Sequence, residues 1–297
     1  MEKLLIIDAH SHLWLRQDTT WDGKPIRSLK NGRSIFLGEE VQMLPPFMID
    51  GQNTAEVFLS NMDYAQVGAA VVVQEVIDGN QNAYLTEVQK AHSDRFFCMG
   101  MAWNLEEAKA VQTAGLKGIA FPGHRMKESL VGLMPVFKFM EEKGMVLSMC
   151  LGEEERQIGE MKEVIQECPD LKVAIGHFGM VTTPIFESQV KLAREGDKVM
   201  IESGGITWLF NSEFYPYPSA IRSIRQAADW VGMDRLMWGS DYPRTITAIT
   251  YRMSYDFVSK SAELNQDEKA AFLGENALRF YGFHHLPTLP YIKNMSE

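Results

Sequence analysis

The sequence is poor in cysteine, and its cysteines lack the spacing of a metal-binding or disulfide framework. Only three are present in 297 residues: Cys98, Cys150 and Cys168. An odd number of widely separated cysteines argues against a disulfide-stapled secreted scaffold and against a zinc ribbon. Residues 1–3 lead directly into a predicted strand, without the layout of a secretory signal. We therefore expect free thiols and a cytoplasmic protein.

An excess of positive charge and long apolar runs are also missing. The chain has 29 lysines and arginines against 39 aspartates and glutamates, which gives a formal net charge of −10. A nucleic-acid partner would need a basic face, so we expect none. No apolar stretch reaches the roughly 20 residues that cross a bilayer, so we expect no membrane partner. The composition is that of an ordinary globular protein, with 45% hydrophobic and 23% charged residues.

Short apolar segments of the strand type alternate with helical segments along most of the chain. Eight strands are predicted, at residues 4–7, 68–73, 95–102, 116–121, 145–151, 171–178, 198–203 and 235–239. Such alternation implies right-handed crossovers and a parallel sheet. Eight units close naturally into a (β/α)8 TIM barrel, and the helices predicted at 246–260 and 266–281 are additional C-terminal ones.

A doubly wound open sheet is the alternative architecture. It requires a glycine-rich phosphate loop after the first strand, where this sequence has His10-Ser11-His12. No low-complexity segment or domain linker interrupts the pattern. We therefore predict an α/β protein with a single TIM-barrel domain over residues 1–297.

One connection is much longer than the others. Residues 14–52 contain glycine, proline and basic residues with little periodicity. Long loops without secondary structure are most often active-site lids or binding loops. We predict an extended first loop that is a candidate lid over the barrel mouth.

The first predicted strand ends in a pattern typical of metal-binding residues. Asp8, His10 and His12 alternate, and the period of a strand places alternating side chains on one face. Two imidazoles on one face at the end of a buried strand are a suitable ligand pair for a divalent metal ion. The alternative is one core histidine and one loop histidine, each satisfied by backbone groups.

Further candidate residues follow later strands. His124 follows the fourth predicted strand, His177 ends the sixth and Asp241 follows the eighth. Because the active site of a TIM barrel gathers at the carboxyl ends of its strands, we expect these side chains to face His10 and His12. A satisfied core histidine at position 177 and a helix N-cap at Asp241 are the alternatives.

Several motifs resemble those of the amidohydrolase superfamily. They are Asp8-Ala9-His10-Ser11-His12-Leu13-Trp14, residues 169–179 around His177, Trp238-Gly239-Ser240-Asp241-Tyr242-Pro243 and Gly274-Glu275-Asn276-Ala277-Leu278-Arg279. The resemblance covers essentially the whole chain. It points to the amidohydrolase-related (amidohydrolase 2) branch, which holds lactonases and aminocarboxymuconate-semialdehyde-type decarboxylases.

The resemblance implies that His10, His12, His177 and Asp241 are the metal-binding and catalytic residues. It implies one divalent metal ion, zinc or alternatively manganese, while a site without metal is the alternative that some lactonases of this branch suggest. The fifth strand departs from the family, because many members have a ligand histidine where this sequence has Cys150. The fourth strand also lacks a lysine for a carbamylated bridge, so we expect no two-metal site. Cys150 is either a soft ligand or a small buried filler.

Basic and aromatic residues near the strand ends indicate the substrate. His124, Arg125 and Arg244 can pair with carboxylates, although solvated surface charges are the alternative for each arginine. Four aromatic side chains can form a wall against a flat ring or a sugar face, or simply pack loops: Trp14, Trp208, Phe210 and Tyr242. We expect a small anionic or sugar-like substrate.

Three functions remain open from the sequence. With Asp241 as general base and His177 stabilising the oxyanion or orienting water, the leading hypothesis is a lactonase that opens a small sugar-acid or dicarboxylate lactone. A metal-dependent decarboxylase of an aromatic or muconate-type acid is the alternative. A catalytically silent barrel that serves as a binding module is the third hypothesis, motivated by the missing fifth-strand histidine. By resemblance alone, we also expect a homo-oligomer.

Overall fold

The computed structural model describes residues 4–295, so the outermost residues of the predicted domain, 1–3 and 296–297, lie outside the described part. The segment considered for a secretory signal lies outside it too. The strands, numbered in chain order, are β1 (Ile7–Ser11), β2 (Asp18–Trp21), β3 (Lys24–Ser28), β4 (Arg33–Phe36), β5 (Glu39–Gln42), β6 (Ala69–Val72), β7 (Phe96–Gly100), β8 (Gly118–Phe121), β9 (Val146–Met149), β10 (Lys172–Ile175), β11 (Val199–Glu202) and β12 (Leu236–Met237). The α-helices are α1 (Ala55–Ala65), α2 (Asn82–Ala91), α3 (Leu105–Thr113), α4 (Met134–Glu142), α5 (Glu155–Glu167), α6 (Phe186–Val190), α7 (Ile206–Leu209), α8 (Pro218–Val231), α9 (Met253–Ser259), α10 (Gln266–Ala270) and α11 (Asn276–Tyr281).

Eight strands form one parallel sheet in the order β1-β6-β7-β8-β9-β10-β11-β12. The two outer strands of this order also meet, because the Ala9 amide donates to the Trp238 carbonyl over 2.9 Å and Ser11 forms a bridge with Tyr242. The sheet thus closes on itself with helices between successive strands. The predicted (β/α)8 TIM barrel is confirmed.

Two apolar layers hold the barrel together. Alanine, β-branched and methionine side chains fill its interior, among them Ala9, Val71 and Met99. A larger cluster, which includes Phe58 of α1, packs between the strands and the surrounding helices. Each large apolar side chain that is fully buried contributes about 1.5–3 kcal/mol, so these two layers dominate the stability of the scaffold.

The predicted long first loop contains regular structure. Strands β2 to β5 form a second, antiparallel sheet, here called the β-sheet insert (residues 18–42). Asp22-Gly23 and Leu37-Gly38 join its outer strand pairs, and both residues of each turn have positive φ, for example 49° at Asp22 and 74° at Gly23. Two-residue hairpin turns of this kind favour Asp-Gly. The long segment after the first barrel strand is confirmed, but its four strands were not predicted, because strands of four or five residues show too little of a period.

The additional C-terminal helices are confirmed, with more breaks than the sequence predicts. The segment predicted at 246–260 begins with a 3-10 turn, Arg244–Thr247, and continues as the short α9. The segment predicted at 266–281 is interrupted by a π-helical turn at Ala271–Glu275, between α10 and α11. Among residues 4–295, no helix has the length and apolar character needed to cross a membrane.

Candidate active site

The carboxyl ends of β1 and β12 bring three predicted metal ligands together. His10 Nε2 lies 3.2 Å from His12 Nε2, and His12 Nε2 lies 3.2 Å from Asp241 Oδ1. The third side of this triangle, between His10 Nε2 and Asp241 Oδ1, measures 3.7 Å. A single ion of ordinary size can contact all three atoms.

Asp8 does not join this group. The pairing of β1 with β6 shifts register after Asp8, and such a bulge breaks the alternation of side chains. Asp8 instead accepts hydrogen bonds from the amide and hydroxyl of Ser240 and from the Tyr251 hydroxyl. The predicted common face for Asp8, His10 and His12 is therefore wrong. Burial raises the pKa of Asp8 to about 6, and its hydrogen bonds connect β1 to the end of β12.

A second carboxylate lies behind each histidine of β1. His10 Nδ1 is 2.7 Å from Glu202 Oε1, and His12 Nδ1 is 3.0 Å from Asp78 Oδ2. An ionised carboxylate only accepts hydrogen bonds, so Nδ1 carries the proton in both rings. In the neutral rings, both Nε2 lone pairs then point at each other and at Asp241 Oδ1.

Three acceptor atoms that face one point repel one another unless a cation lies between them. Burial lowers the pKa of His10, but the Glu202 carboxylate outweighs this effect and raises it. Burial also opposes the charge on His12, yet Asp78 and Asp241 raise its pKa well above the usual value. The surrounding carboxylates therefore favour a positive charge at this point, supplied by protons or by a metal ion. Two imidazoles and a carboxylate, with carboxylates behind the imidazoles, fit a divalent ion such as Zn²⁺.

Asp241 is held at both of its oxygens. Oδ1 faces the histidines, and Oδ2 accepts a 2.7 Å hydrogen bond from Trp208 Nε1. Burial acts to raise the pKa of Asp241, but the hydrogen bond from His12 and the nearby histidine charges hold it well below its usual range. The residue also has a φ of 58°, which is uncommon outside glycine and recurs at functional sites. Asp241 is therefore a fixed, ionised carboxylate at neutral pH.

His177 faces the same centre from β10 but makes different contacts. Its Nδ1 lies 2.9 Å from the Gly204 carbonyl, so this nitrogen donates and Nε2 is left as an acceptor. Burial, and then His10, lower the pKa of His177, so the ring is neutral at neutral pH. In this tautomer Nε2 can bind a metal ion or accept a hydrogen bond from water, and cannot donate to an oxyanion.

Cys150, at the fifth-strand position, is close to this centre as well. One ligand atom each from His10, Cys150 and His177 lie within 4.8 Å of one another, as do those of His10, His12 and Asp241. Burial, followed by the Glu202 charge, raises the pKa of Cys150 well above its usual value. The thiol is neutral at neutral pH, and a neutral thiol is a poor metal ligand.

A cavity of about 670 Å³ opens over the two histidines and Asp241. The β-sheet insert and its exit contribute Phe36, Val41 and Met43 to its wall. Four of the residues predicted to bind substrate also line it: Trp14, His124, Arg125 and Arg244. The insert therefore lies at the mouth of the barrel, where the sequence predicted a lid.

Tyr242 does not line this cavity. Its side chain is fully buried and stacks on Phe58, with the ring centroids 4.0 Å apart. The expected contact of Tyr242 with substrate does not hold, since the ring belongs to the layer between barrel and helices. Trp14 is almost as buried and donates its indole N–H to the Gly51 carbonyl over 3.2 Å, so it also fastens the loop after the insert.

The two cavity arginines have different partners. Arg125 Nε donates to both oxygens of the buried Glu75, at 2.8 and 2.9 Å, and within residues 4–295 its two Nη groups have no hydrogen bond to a carboxylate. Arg244 has no acidic partner among residues 4–295 and stacks on Trp208, with Cζ 3.7 Å from the ring centroid. His124 is exposed, and its Nδ1 lies 3.4 Å from the Cys150 carbonyl. Two guanidinium groups can therefore meet an anionic ligand.

A family profile for amidohydrolases (Amidohydro_2) matches residues 7–283. The chain belongs to the amidohydrolase family. No curated protein matches the sequence of this amidohydrolase.

Solved structures share the fold of this amidohydrolase. An amidohydrolase from Burkholderia multivorans with bound zinc has a TM-score of 0.71 and 19% identity, covering 95% of this chain and 100% of that chain. A probable 2-pyrone-4,6-dicarboxylic acid hydrolase from Acinetobacter baumannii with citric acid bound has a TM-score of 0.69 and 18% identity, covering 94% and 99%. A 5-carboxyvanillate decarboxylase from Novosphingobium aromaticivorans, complexed with manganese and 4-hydroxy-3-methoxy-5-nitrobenzoic acid, has a TM-score of 0.55 and 15% identity, covering 77% and 80%.

Sequence reasoning missed several side chains of this amidohydrolase site. The sequence pattern alone does not predict a role for Asp78 and Glu202 behind the histidines, or for Glu75 behind Arg125. Glu75 and Glu202 do stand at predicted strand ends, which is a signal for a polar residue aimed at the site. Asp78 has no such signal, because it lies in a 3-10 turn, Val76–Asp78, whose capping bond with Glu75 only the structure reveals.

Proposed function

We propose that this protein is a hydrolase that opens a small lactone carrying one or more carboxylates, either a sugar-acid or a dicarboxylate lactone, by attack of water. The convergence of His10 Nε2, His12 Nε2 and Asp241 Oδ1 within 3.2 to 3.7 Å, at the floor of a cavity, carries the proposal. Such a centre combines an electrophile-binding point with a general base.

His10, His12 and Asp241 would hold one divalent ion, zinc or manganese. When bound, the ion supplies Lewis-acid polarisation of the scissile carbonyl and favours ionisation of water. The zinc and manganese in the Burkholderia and Novosphingobium structures support these two metals.

The side chains supply proton transfer and orientation. Asp241 accepts a proton from the attacking water, whose oxygen bonds to the lactone carbonyl carbon. The ring carbon–oxygen bond then breaks, and the departing alkoxide takes that proton back from Asp241. His177 Nε2, which is an acceptor, holds the second hydrogen of the water and so points its lone pair at the carbon.

The arginines select an anionic substrate. The Nη groups of Arg125, which have no carboxylate partner in the described part of the chain, and the guanidinium of Arg244 provide forked donors that match carboxylates. The Acinetobacter neighbour is described as a probable dicarboxylic acid hydrolase and has citric acid bound. Both facts support an acidic substrate of this kind.

A decarboxylase is the second candidate. The cavity wall includes Trp14, Phe36 and Phe121, which suit a flat aromatic acid. The Novosphingobium neighbour, described as a decarboxylase with a nitrobenzoic acid bound, favours this alternative.

Acid release from a panel of carboxylated and neutral lactones, followed with a pH indicator, tests the proposal against carbon dioxide release from aromatic acids. We expect acid from carboxylated lactones and about a 1,000-fold or greater loss of turnover in Asp241→Asn, because the general base is removed. The exposed Asp229→Asn is the matched control and should retain full activity. Gas from an aromatic acid without acid from any lactone would refute the proposal.

A further inference from the structure

Trp208 lies between the two groups on which the proposed hydrolysis most depends. Its indole Nε1 donates to Asp241 Oδ2 over 2.7 Å. The face of the same ring carries the Arg244 guanidinium, with Cζ 3.7 Å from the ring centroid. One side chain therefore contacts both the general base and the arginine that has no acidic partner among the described residues.

The backbone before Trp208 leaves room for this position of the indole. Gly205 has a φ of 72°, and a Cβ at this residue would clash with Trp208 Nε1. The preceding Gly204 is also restricted, because a Cβ there would lie 2.9 Å from Glu202 Oε2 and 3.0 Å from His10 Cγ. The Gly204-Gly205 pair at the end of β11 is thus a requirement for folding Trp208 back over the site.

The two contacts have different physical consequences. The hydrogen bond to Asp241 is charge-assisted, and it prevents the carboxylate from rotating Oδ1 away from the histidines. The stacking contact holds the Arg244 guanidinium over the ring face, while its N–H groups remain free in the plane for a carboxylate. Loss of the first contact therefore alters the base, and loss of the second alters substrate binding.

We propose that Trp208 is a positioning residue that sets the distance between the anion-binding guanidinium of Arg244 and the base Asp241. An acidic group of the substrate that pairs with Arg244 is then held in a fixed position relative to the Asp241 carboxylate, and this determines which bond of the substrate faces the attacking water. The inference rests on the proposed hydrolysis for its kinetic test. The hydrogen bond and the anion site can be measured without any turnover.

The kinetic test compares variants that remove one contact at a time. Trp208→Phe keeps a ring under Arg244 but removes the N–H donor, and we expect kcat to fall about 10- to 100-fold with KM within about threefold. Arg244→Gln removes the charge, and we expect KM to rise about 10- to 100-fold with kcat within about threefold. Trp230→Phe, on α8 beside Phe186 and outside the cavity, is the matched control and should change neither constant.

Two measurements test the inference without activity. The chain has six tryptophans, so the indole N–H peak of Trp208 in a ¹H–¹⁵N spectrum can be assigned by its loss in Trp208→Phe. This peak should shift upfield in Asp241→Ala by more than the other five. Citrate, titrated as an anionic probe, should bind Trp208→Phe within about threefold of wild type and Arg244→Gln about tenfold or more weakly.

These results separate the inference from the proposed function. If wild type hydrolyses no lactone, the proposed function fails, and the indole shift and citrate binding alone decide the inference. An unshifted Trp208 peak in Asp241→Ala would overturn it, because the hydrogen bond is then absent in solution. An equal rise of KM in Trp208→Phe and Arg244→Gln with unchanged kcat would also overturn it, since Trp208 would then be only a binding wall.

Discussion

Removal of the carboxylates behind the two histidines should weaken metal binding by amounts that the structure ranks. Asp78 Oδ2 accepts from both His12 Nδ1 and the Glu75 amide, each at 3.0 Å. One oxygen of an asparagine can accept the same two bonds, so Asp78→Asn loses mainly the charge. Removal of a carboxylate that orients a metal-binding histidine typically weakens metal binding by about 10- to 100-fold. We expect Asp78→Asn to weaken it about tenfold, which corresponds to about 1.4 kcal/mol.

Glu202→Gln should weaken metal binding more than Asp78→Asn does. Glu202 uses both oxygens, Oε1 for His10 Nδ1 at 2.7 Å and Oε2 for the Gly204 amide at 2.5 Å, and it is 1% exposed. A glutamine has one acceptor oxygen, so its amide nitrogen must face a donor in a site without water access. We therefore expect Glu202→Gln to weaken metal binding about 100-fold, which corresponds to about 2.7 kcal/mol.

The assay is competition for zinc against a chromophoric chelator at fixed pH, after complete removal of metal. The exposed Glu106→Gln is the matched control and should bind as wild type does. Thermal unfolding of the metal-free variants checks that each still folds. Equal zinc affinity for wild type, Asp78→Asn and Glu202→Gln would show that these carboxylates do not orient the ligands.

Three further outcomes follow from burial and charge. Tyr242→Phe should leave kcat and KM unchanged and alter the free energy of unfolding by less than about 1 kcal/mol, since the ring is in the core; a KM change in steady-state kinetics would contradict this. The pKa of Asp8 is about 6 in the folded protein and lower in the unfolded chain. The protonated Asp8 carboxyl therefore stabilises the fold below pH 4, and this contribution to the free energy of unfolding is lost as the pH rises through 6. Urea unfolding should therefore show about 3 kcal/mol lost between these pH values, and Asp8→Asn should remove that slope. Burial raises the pKa of Cys150 well above its usual value and that of Cys168 to about 11, so the native protein should show no fast-reacting thiol at pH 8, and a rapidly modified Cys150 would be inconsistent with its environment.

The barrel and its principal ligands could be predicted because their signals are local. Each strand is a short apolar run followed by a helical period, and each candidate, such as His10, His177 or Asp241, stands where such a run ends. The closure of the barrel then determines that residues 229 positions apart, such as His12 and Asp241, lie within 3.2 Å.

The remaining contacts depend on geometry that no local pattern specifies. The bulge in β1 turns Asp8 away from the site although the alternation of residues predicts the opposite. Glu202 meets His10 across 192 residues, and Asp78 meets His12 across 66. The strands of the β-sheet insert are short, although their Asp-Gly turn was a readable hairpin signal.

Titration of zinc into the metal-free protein, with acid release from a carboxylated lactone as the readout, tests whether hydrolysis depends on one metal ion at His10, His12 and Asp241. We expect the rate to rise from near zero to a plateau at one equivalent of zinc, because His10, His12 and Asp241 form one site. A rate that stays at zero at every zinc ratio, or that is already maximal in the metal-free protein, would contradict this expectation.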